Sequence, residues 1–149
     1  MRERYLEDFA VGQSYRSRKI TVDKASMINF ASQFDPQPFH VDEQAAQTSF
    51  FGGLAASGWY TGALTARLLV DSDIKPAGGL INSGYDEFRI PRPVRAGDEL
   101  YVDAEVLEAR PSSSRPRHGW VKLRVTTKNQ NGEPVQIMVA NFIVQRRPS

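Results

Sequence analysis

LAASGWYTGALTARLLV, residues 54–70, carries a single charge, Arg67, in seventeen positions. A helix that is apolar almost all round is normally buried, so this stretch predicts one long helix enclosed by the rest of the chain. Gly58, Gly62 and Ala66 recur every four residues and leave one side nearly flat. A sheet, a backbone or a thin ligand can approach such a side closely. For Gly62 and Ala66, packing of a helix on a sheet explains the spacing as well as a ligand does. Gly58 lies nearer the helix start, where N–H groups lack intrahelical acceptors, and a functional role is the better reading there.

Downstream of the helix the chain is β-rich. Residues 80–90, LINSGYDEFRI, read as a strand with Gly84 as a bulge or a point of close approach. PRPVRAGDE is a loop. Residues 99–109 alternate cleanly, with Leu100, Val102, Ala104 and Val106 on one face, and 119–128 place Val121, Leu123 and Val125 opposite Trp120, Lys122 and Arg124. Asn131-Gly132 marks a hairpin turn longer than two residues. The last strand, 134–145, is apolar on both faces, which implies a central strand with the helix on one side and other cover behind it. RPSSSRPRH, residues 110–118, is a mobile basic loop or a phosphate contact, and the terminal QRRPS is expected to fray.

Upstream, SYRSRKI at 14–20 gives a first strand. Thr21 can cap a helix over 22–34, where Met27, Ile28, Ala31 and Phe34 fall at helical spacing and Asp23 sits in the first turn. That helix delivers the chain to Asp35. A short helix begins in VDEQAAQTSF, and Gly52-Gly53 then break the chain. One long helix against five or six strands is an α+β arrangement with segregated elements. A single sheet around one helix leaves a face or an edge uncovered, and a homodimer is the simplest cover.

Bulk composition narrows the function. At 149 residues the chain fits a single domain, 1–149, that can bury a core unaided. There are no cysteines, so thiol nucleophiles and Cys-based zinc sites are excluded. No apolar segment reaches the ~20 residues that a bilayer span needs, and the start lacks a secretory h-region, so no membrane association and a cytoplasmic location are expected. The formal charge of +2 includes fourteen Arg among nineteen basic residues, which suits an anionic ligand. A nucleic-acid partner would need a denser basic stripe or a recognisable module.

The chemistry concentrates at Asp35 and His40, five positions apart with Pro36 and Pro38 between them. These prolines restrict the backbone and rule out ordinary helix interior. With only two histidines, a metal site has weak support and none is expected. Ser49 and Ser57 lack a G-x-S-x-G elbow, which argues against a serine nucleophile. An acid and a histidine beside a helix N-terminus suit general acid–base work on a carbonyl compound, with N–H groups holding an enolate oxygen. The same residues also fit a plainer role, Asp35 as a turn cap and His40 as a satisfied half-buried side chain.

D-P-Q-P-F-H-V-D-E-Q-A-A resembles the hydratase signature of the MaoC-like dehydratases and (R)-specific enoyl-CoA hydratases, with Asp35, Pro38, His40 and Ala46 at the matching positions. Y-L-E-D-F-A-V-G-Q at 5–13, F-G-G-L-A-A-S-G at 51–58 and F-R-I-P-R-P-V-R-A-G-D-E-L at 88–100 match in the same order. The sequence departs at Gln37, where the family has Asn, at Phe39, at Gln33-Phe34 before the acid, and at Ser57, where a His often precedes the Gly. The resemblance implies a hot-dog fold, an antiparallel sheet wrapped around one long central helix, usually dimeric.

It further implies reversible syn hydration of trans-2-enoyl-CoA to (R)-3-hydroxyacyl-CoA. Asp35 and His40 would grip one water and the Gly58 N–H would hold the thioester oxygen. Gln37, Phe39, Ser57 and Trp59 are the expected substrate-binding neighbours. No cofactor is required beyond coenzyme A as the substrate's carrier, whose phosphates call for cations such as Arg89, Arg92 or Arg95. The departures motivate a second reading, a non-catalytic acyl-CoA binder or a partner subunit. A third is an acyl-CoA thioesterase on the same fold.

Overall fold

Period-two alternation in the second half of the chain becomes a single antiparallel sheet, and the apolar stretch lies on its concave side. The computed structural model describes residues 3–149. After a 3-10 turn at Leu6–Asp8, the chain forms β1 (Ser14–Arg16), β2 (Ile20–Thr21), α1 (Lys24–Phe34), α2 (Pro38–Val41), α3 (Glu43–Gln47) and α4 (Gly58–Val70). Four long strands follow: β3 (Ile81–Arg89), β4 (Glu99–Pro111), β5 (His118–Lys128) and β6 (Pro134–Gln145). The strand order is β1-β4-β5-β6-β3, with β2 pairing farther along β4. This is the α+β hot-dog arrangement, with β3 as one free edge.

The expected strand at 14–20 is two short strands on the same edge of β4. Between them Ser17 bonds Val102 with its side chain as well as its backbone. Asp23 is the cap of α1, not a first-turn residue, because its carboxylate accepts from the Ser26 N–H at 2.9 Å. The long helix begins at Gly58 rather than Leu54. Residues 54–57 form its lead-in, and Ser57 caps it by accepting from the Trp59 N–H at 3.2 Å.

Facing positions of β4, β5 and β6 make the core. Leu123 lies opposite both Val106 and Ala140, and Val125 opposite Ala104 and Met138. Leu68 and Leu69 of α4 join that cluster. Fully burying one such side chain contributes about 1.5–3 kcal/mol. Among the described residues no second layer covers the outer face of β6. Val139 lies between Arg124 and Glu87 and is 8% exposed, a position where the aliphatic stems of long charged neighbours can cover an apolar side chain. Arg124 pairs with Glu105, and Lys122 with Asp86 and Glu108, across that face.

Enclosure of α4 is one-sided. Thr61, Thr65, Leu68 and Leu69 are buried, whereas Trp59, Ala63, Ala66 and Val70 face outward as an apolar stripe. Gly84 sits at the bulge expected of it, with φ +152° and a register shift against β6. The segment after β6 is tied down, not frayed: the Arg147 N–H donates to Glu7 at 2.8 Å, and its guanidinium pairs with Asp8 at 2.6 Å.

Candidate active site

Asp35 ends α1 with its own N–H bonded to the Ala31 carbonyl, in a conformation (φ −152°, ψ 62°) that turns the chain out of the helix. Pro38 then opens α2 at a first-turn position where its missing N–H costs nothing. Two residues later comes His40, buried at 6% exposure. The two prolines thus aim an acid and an imidazole at each other across a tight corner. Asp35 Oδ2 and His40 Nε2 lie 3.4 Å apart.

A second segment is clamped against this corner. Ala55 donates its N–H to the Phe39 carbonyl at 3.1 Å, and its carbonyl accepts from His40 Nδ1 at 2.7 Å. Ala56 bonds the Val94 carbonyl at 2.8 Å. Behind the loop, the Arg95 guanidinium donates to the carbonyls of Phe51 and Leu54 at 2.5 and 3.1 Å. Gly53 lies close beneath it: a Cβ there would stand 3.2 Å from Arg95 Nη1, so the guanidinium would have to give by a few tenths of an ångström. These bonds fix where Ser57 and Gly58 start α4.

Ser57 is fully buried and donates to Asp35 Oδ2 at 2.7 Å. On the other oxygen, Gln37 Nε2 donates to Asp35 Oδ1 at 2.5 Å. Partial burial pushes the Asp35 carboxyl up, but the bonds from Gln37 and Ser57 and the nearby His40 ring outweigh it, leaving the group below the ordinary aspartate value. Asp35 is therefore an anion at neutral pH. Because a carbonyl only accepts, the bond to Ala55 requires a proton on Nδ1 and leaves Nε2 as the nitrogen that faces Asp35. Both groups can hydrogen-bond one water molecule held between them.

His40 and Gly58 line one cleft of about 490 Å³, together with Phe51, Thr61, Ile90 and Val94. Gly58 occupies the first position of α4, where an N–H has no intrahelical acceptor. Ile90 lies directly over it: a Cβ on Gly58 would meet Ile90 Cδ1 at 2.5 Å. Sequence reasoning did not single out Phe51, Thr61, Ile90 or Val94. The stretches 51–58 and 88–100 contain three of them, but nothing in a linear pattern says which side chains turn inward.

The expected neighbours divide. Phe39 backs the imidazole, ring to ring at 4.6 Å, and also meets Phe51 at 5.2 Å. Gln37 and Ser57 reach Asp35 itself, so in this structure they contact the acid in place of a cleft wall. Trp59 turns outward, 68% exposed, with its ring against Phe88 at 6.1 Å. Phe34 sits on Phe30, away from the pair. Of the candidate phosphate cations, Arg89 is paired with Glu87, Arg92 with Glu133 at 3.2 Å, and Arg95 holds the 51–54 loop. Among the described residues no group of three or more His, Cys, Asp or Glu could hold a metal ion, and no helix is long and apolar enough to cross a membrane.

Known proteins share this fold. The family model described as "MaoC like domain" matches residues 8–129. A MaoC-like dehydratase from Rhodospirillum rubrum is 50% identical, with a TM-score of 0.93 over 97% of this chain and 99% of that one. The (R)-hydratase PhaJ1 of Pseudomonas aeruginosa is 28% identical, with a TM-score of 0.74 over 96% and 86% of the two chains. A 3-hydroxybutyryl-CoA dehydratase of Methylorubrum extorquens is 32% identical over 118 residues, which are 78% of this chain and 73% of the relative.

Proposed function

The chain belongs to the MaoC-like domain family, and from that premise we propose that it catalyses the reversible syn hydration of a trans-2-enoyl-CoA thioester to the (R)-3-hydroxyacyl thioester. The observation that carries this reading is the convergence of Asp35 Oδ2 and His40 Nε2, 3.4 Å apart, beside the N-terminus of α4. Water held between them adds its oxygen to Cβ of the enoyl group and gives a proton to Asp35, while His40 orients it through Nε2. The electron pair of the double bond moves toward the thioester, whose oxygen is held by the Gly58 N–H. Asp35 then returns the proton to Cα on the same face, so the acid ends as it began. One such N–H donor is typically worth about 3–4 kcal/mol in the transition state.

Gln37 fits this role although the family has Asn there, since its amide reaches the carboxylate. A second copy of the chain is the proposed cover for the stripe of Trp59, Ala63, Ala66 and Val70 and for the neighbouring edge strand β3. The active form is then a homodimer.

The test is hydration of crotonyl-CoA and longer enoyl-CoA substrates, followed by loss of the conjugated-enoyl absorbance and by chiral analysis of the product. (R)-3-hydroxyacyl-CoA is expected. Free thiol released without hydration would instead identify a thioesterase, and binding without turnover would identify a non-catalytic acyl-CoA protein.

A further inference from the structure

The concave face of β6 carries one polar residue among its apolar ones. Gln136 is fully buried and shares its face with Met138, Ala140 and Phe142. A buried amide in a core is costly unless its atoms are paired, and this one is paired at both ends. Its Nε2 donates to the Gly58 carbonyl at 3.2 Å. Its Oε1 accepts from the Thr65 hydroxyl at 3.2 Å. Gly62 packs under the amide, where a Cβ would stand at ordinary van der Waals contact, 3.8 Å from Gln136 Oε1.

The bonds run in one direction. Thr65 has a single proton, directed to the carbonyl-type oxygens of Gln136 and Thr61. Thr65 also meets the Thr127 hydroxyl at 2.6 Å, a contact in which either oxygen can donate. From Thr65 the chain passes to Gln136 and then to the Gly58 carbonyl. That carbonyl and the Trp59 N–H belong to one planar peptide unit. The Trp59 N–H donates to Ser57 Oγ at 3.2 Å, and Ser57 donates to Asp35 Oδ2 at 2.7 Å. Donors aligned head to tail polarise one another.

We infer that Gln136 is a positioning residue for this site: it fixes the first peptide of α4 from the sheet and, through Trp59 and Ser57, sets the direction in which Asp35 is held. This rests on the hydration reading for its kinetic consequence, but the linkage itself is independent of any substrate. Gln136 touches no reacting atom. Its effect travels through the Gly58–Trp59 peptide, which adjoins the amide that would bind the thioester oxygen.

The test compares Gln136→Leu and Thr65→Val, both near-isosteric, with Leu123→Ala, a core truncation on the same sheet face. Two readouts are taken: steady-state hydration of crotonyl-CoA, and the backbone amide shift and exchange protection of Trp59. Gln136→Leu is expected to lower kcat about tenfold with KM within about twofold, the pattern of an interaction made only in the transition state. Thr65→Val should do the same by a smaller factor. Both should shift the Trp59 amide and reduce its protection, while Leu123→Ala lowers the melting temperature and leaves kcat and the Trp59 amide near the parent's. Unchanged kcat and an unmoved Trp59 amide in Gln136→Leu, or an equal loss of kcat in Leu123→Ala, would overturn the inference. If Gln136→Leu does not fold, Thr65→Val decides on the same readouts. If the parent turns over no enoyl thioester, the hydration reading falls and the Trp59 amide alone decides the linkage.

Discussion

His40 Nδ1 lies 2.7 Å from the carbonyl oxygen of Ala55, and that bond determines which nitrogen meets Asp35. Nε2 is the nitrogen turned toward the acid, so a water between them is oriented by both groups. His40→Ala should leave the fold intact by circular dichroism and lower kcat for enoyl-CoA hydration by about 10²–10⁴-fold, the usual contribution of a positioned acid–base group. An unchanged kcat would exclude His40 from the chemistry.

Asp35 is held below its ordinary value, with burial opposing and the bonds from Gln37 and Ser57 prevailing. Its ionised form is therefore present across neutral pH, and activity should be lost only as pH falls through that depressed value. Gln37→Leu removes one of the stabilising bonds, so the acid limb of the pH–rate profile should move toward higher pH. Ser57→Ala should act in the same direction. The stability sign agrees: a carboxylate whose folded-state value is depressed contributes stability above its unfolded value and loses it as pH falls through the folded one. An acid limb that stays in place in both variants would show that another group sets it.

Much of this site was legible because its parts are local. Pro36 and Pro38 announce the corner, Gly52-Gly53 the break before the long helix, and Gly58 a helix start with free N–H groups. The role of Ser57 was not legible, since a serine before a helical glycine reads equally as a cap, a ligand contact or a partner for a distant acid, and here it is both cap and partner. Gln136 was hidden for a different reason. It lies 78 residues from Gly58 in sequence, and a strand with apolar residues on both faces tells nothing about which helical turn it will meet. The open stripe on α4 misled in the opposite direction, because a uniformly apolar helix signals burial without saying whether the same chain provides it.

Gly58 and Ile90 make a matched pair. A Cβ at position 58 would meet Ile90 Cδ1 at 2.5 Å, but that atom is the end of a flexible side chain and can move. Gly58→Ala should therefore fold and place a methyl group beside the amide that would receive the thioester oxygen, lowering kcat/KM by about tenfold or more. Adding Ile90→Ala relieves the contact without restoring the lost space at the amide. Steady-state kinetics of the two single variants and the double variant separate these effects. Full recovery in the double variant would mean that Ile90, and not access to the amide, limits the reaction.

Gly119 tests the sheet independently of the site. A Cβ there would clash with Leu6 Cδ2 and meet the Arg110 carbonyl oxygen at 2.6 Å. The leucine can rotate, but the carbonyl belongs to the paired strand β4 and cannot withdraw without breaking its ladder. Gly119→Ala should thus cost about 1–3 kcal/mol, the usual range for overpacking, read as a lower urea midpoint with an unchanged slope.

The stripe of Trp59, Ala63, Ala66 and Val70 bears on assembly. Ala63 is exposed in the single chain, so Ala63→Glu places a charge in water and should barely alter the stability of an isolated protomer. Against a second apolar stripe the same carboxylate would be buried without a partner, which costs far more than the contact it replaces. Sedimentation velocity should accordingly find the parent at twice the chain mass and Ala63→Glu at the single mass, with the same circular dichroism. A parent that sediments as a monomer, or a variant that stays dimeric, would place the interface elsewhere.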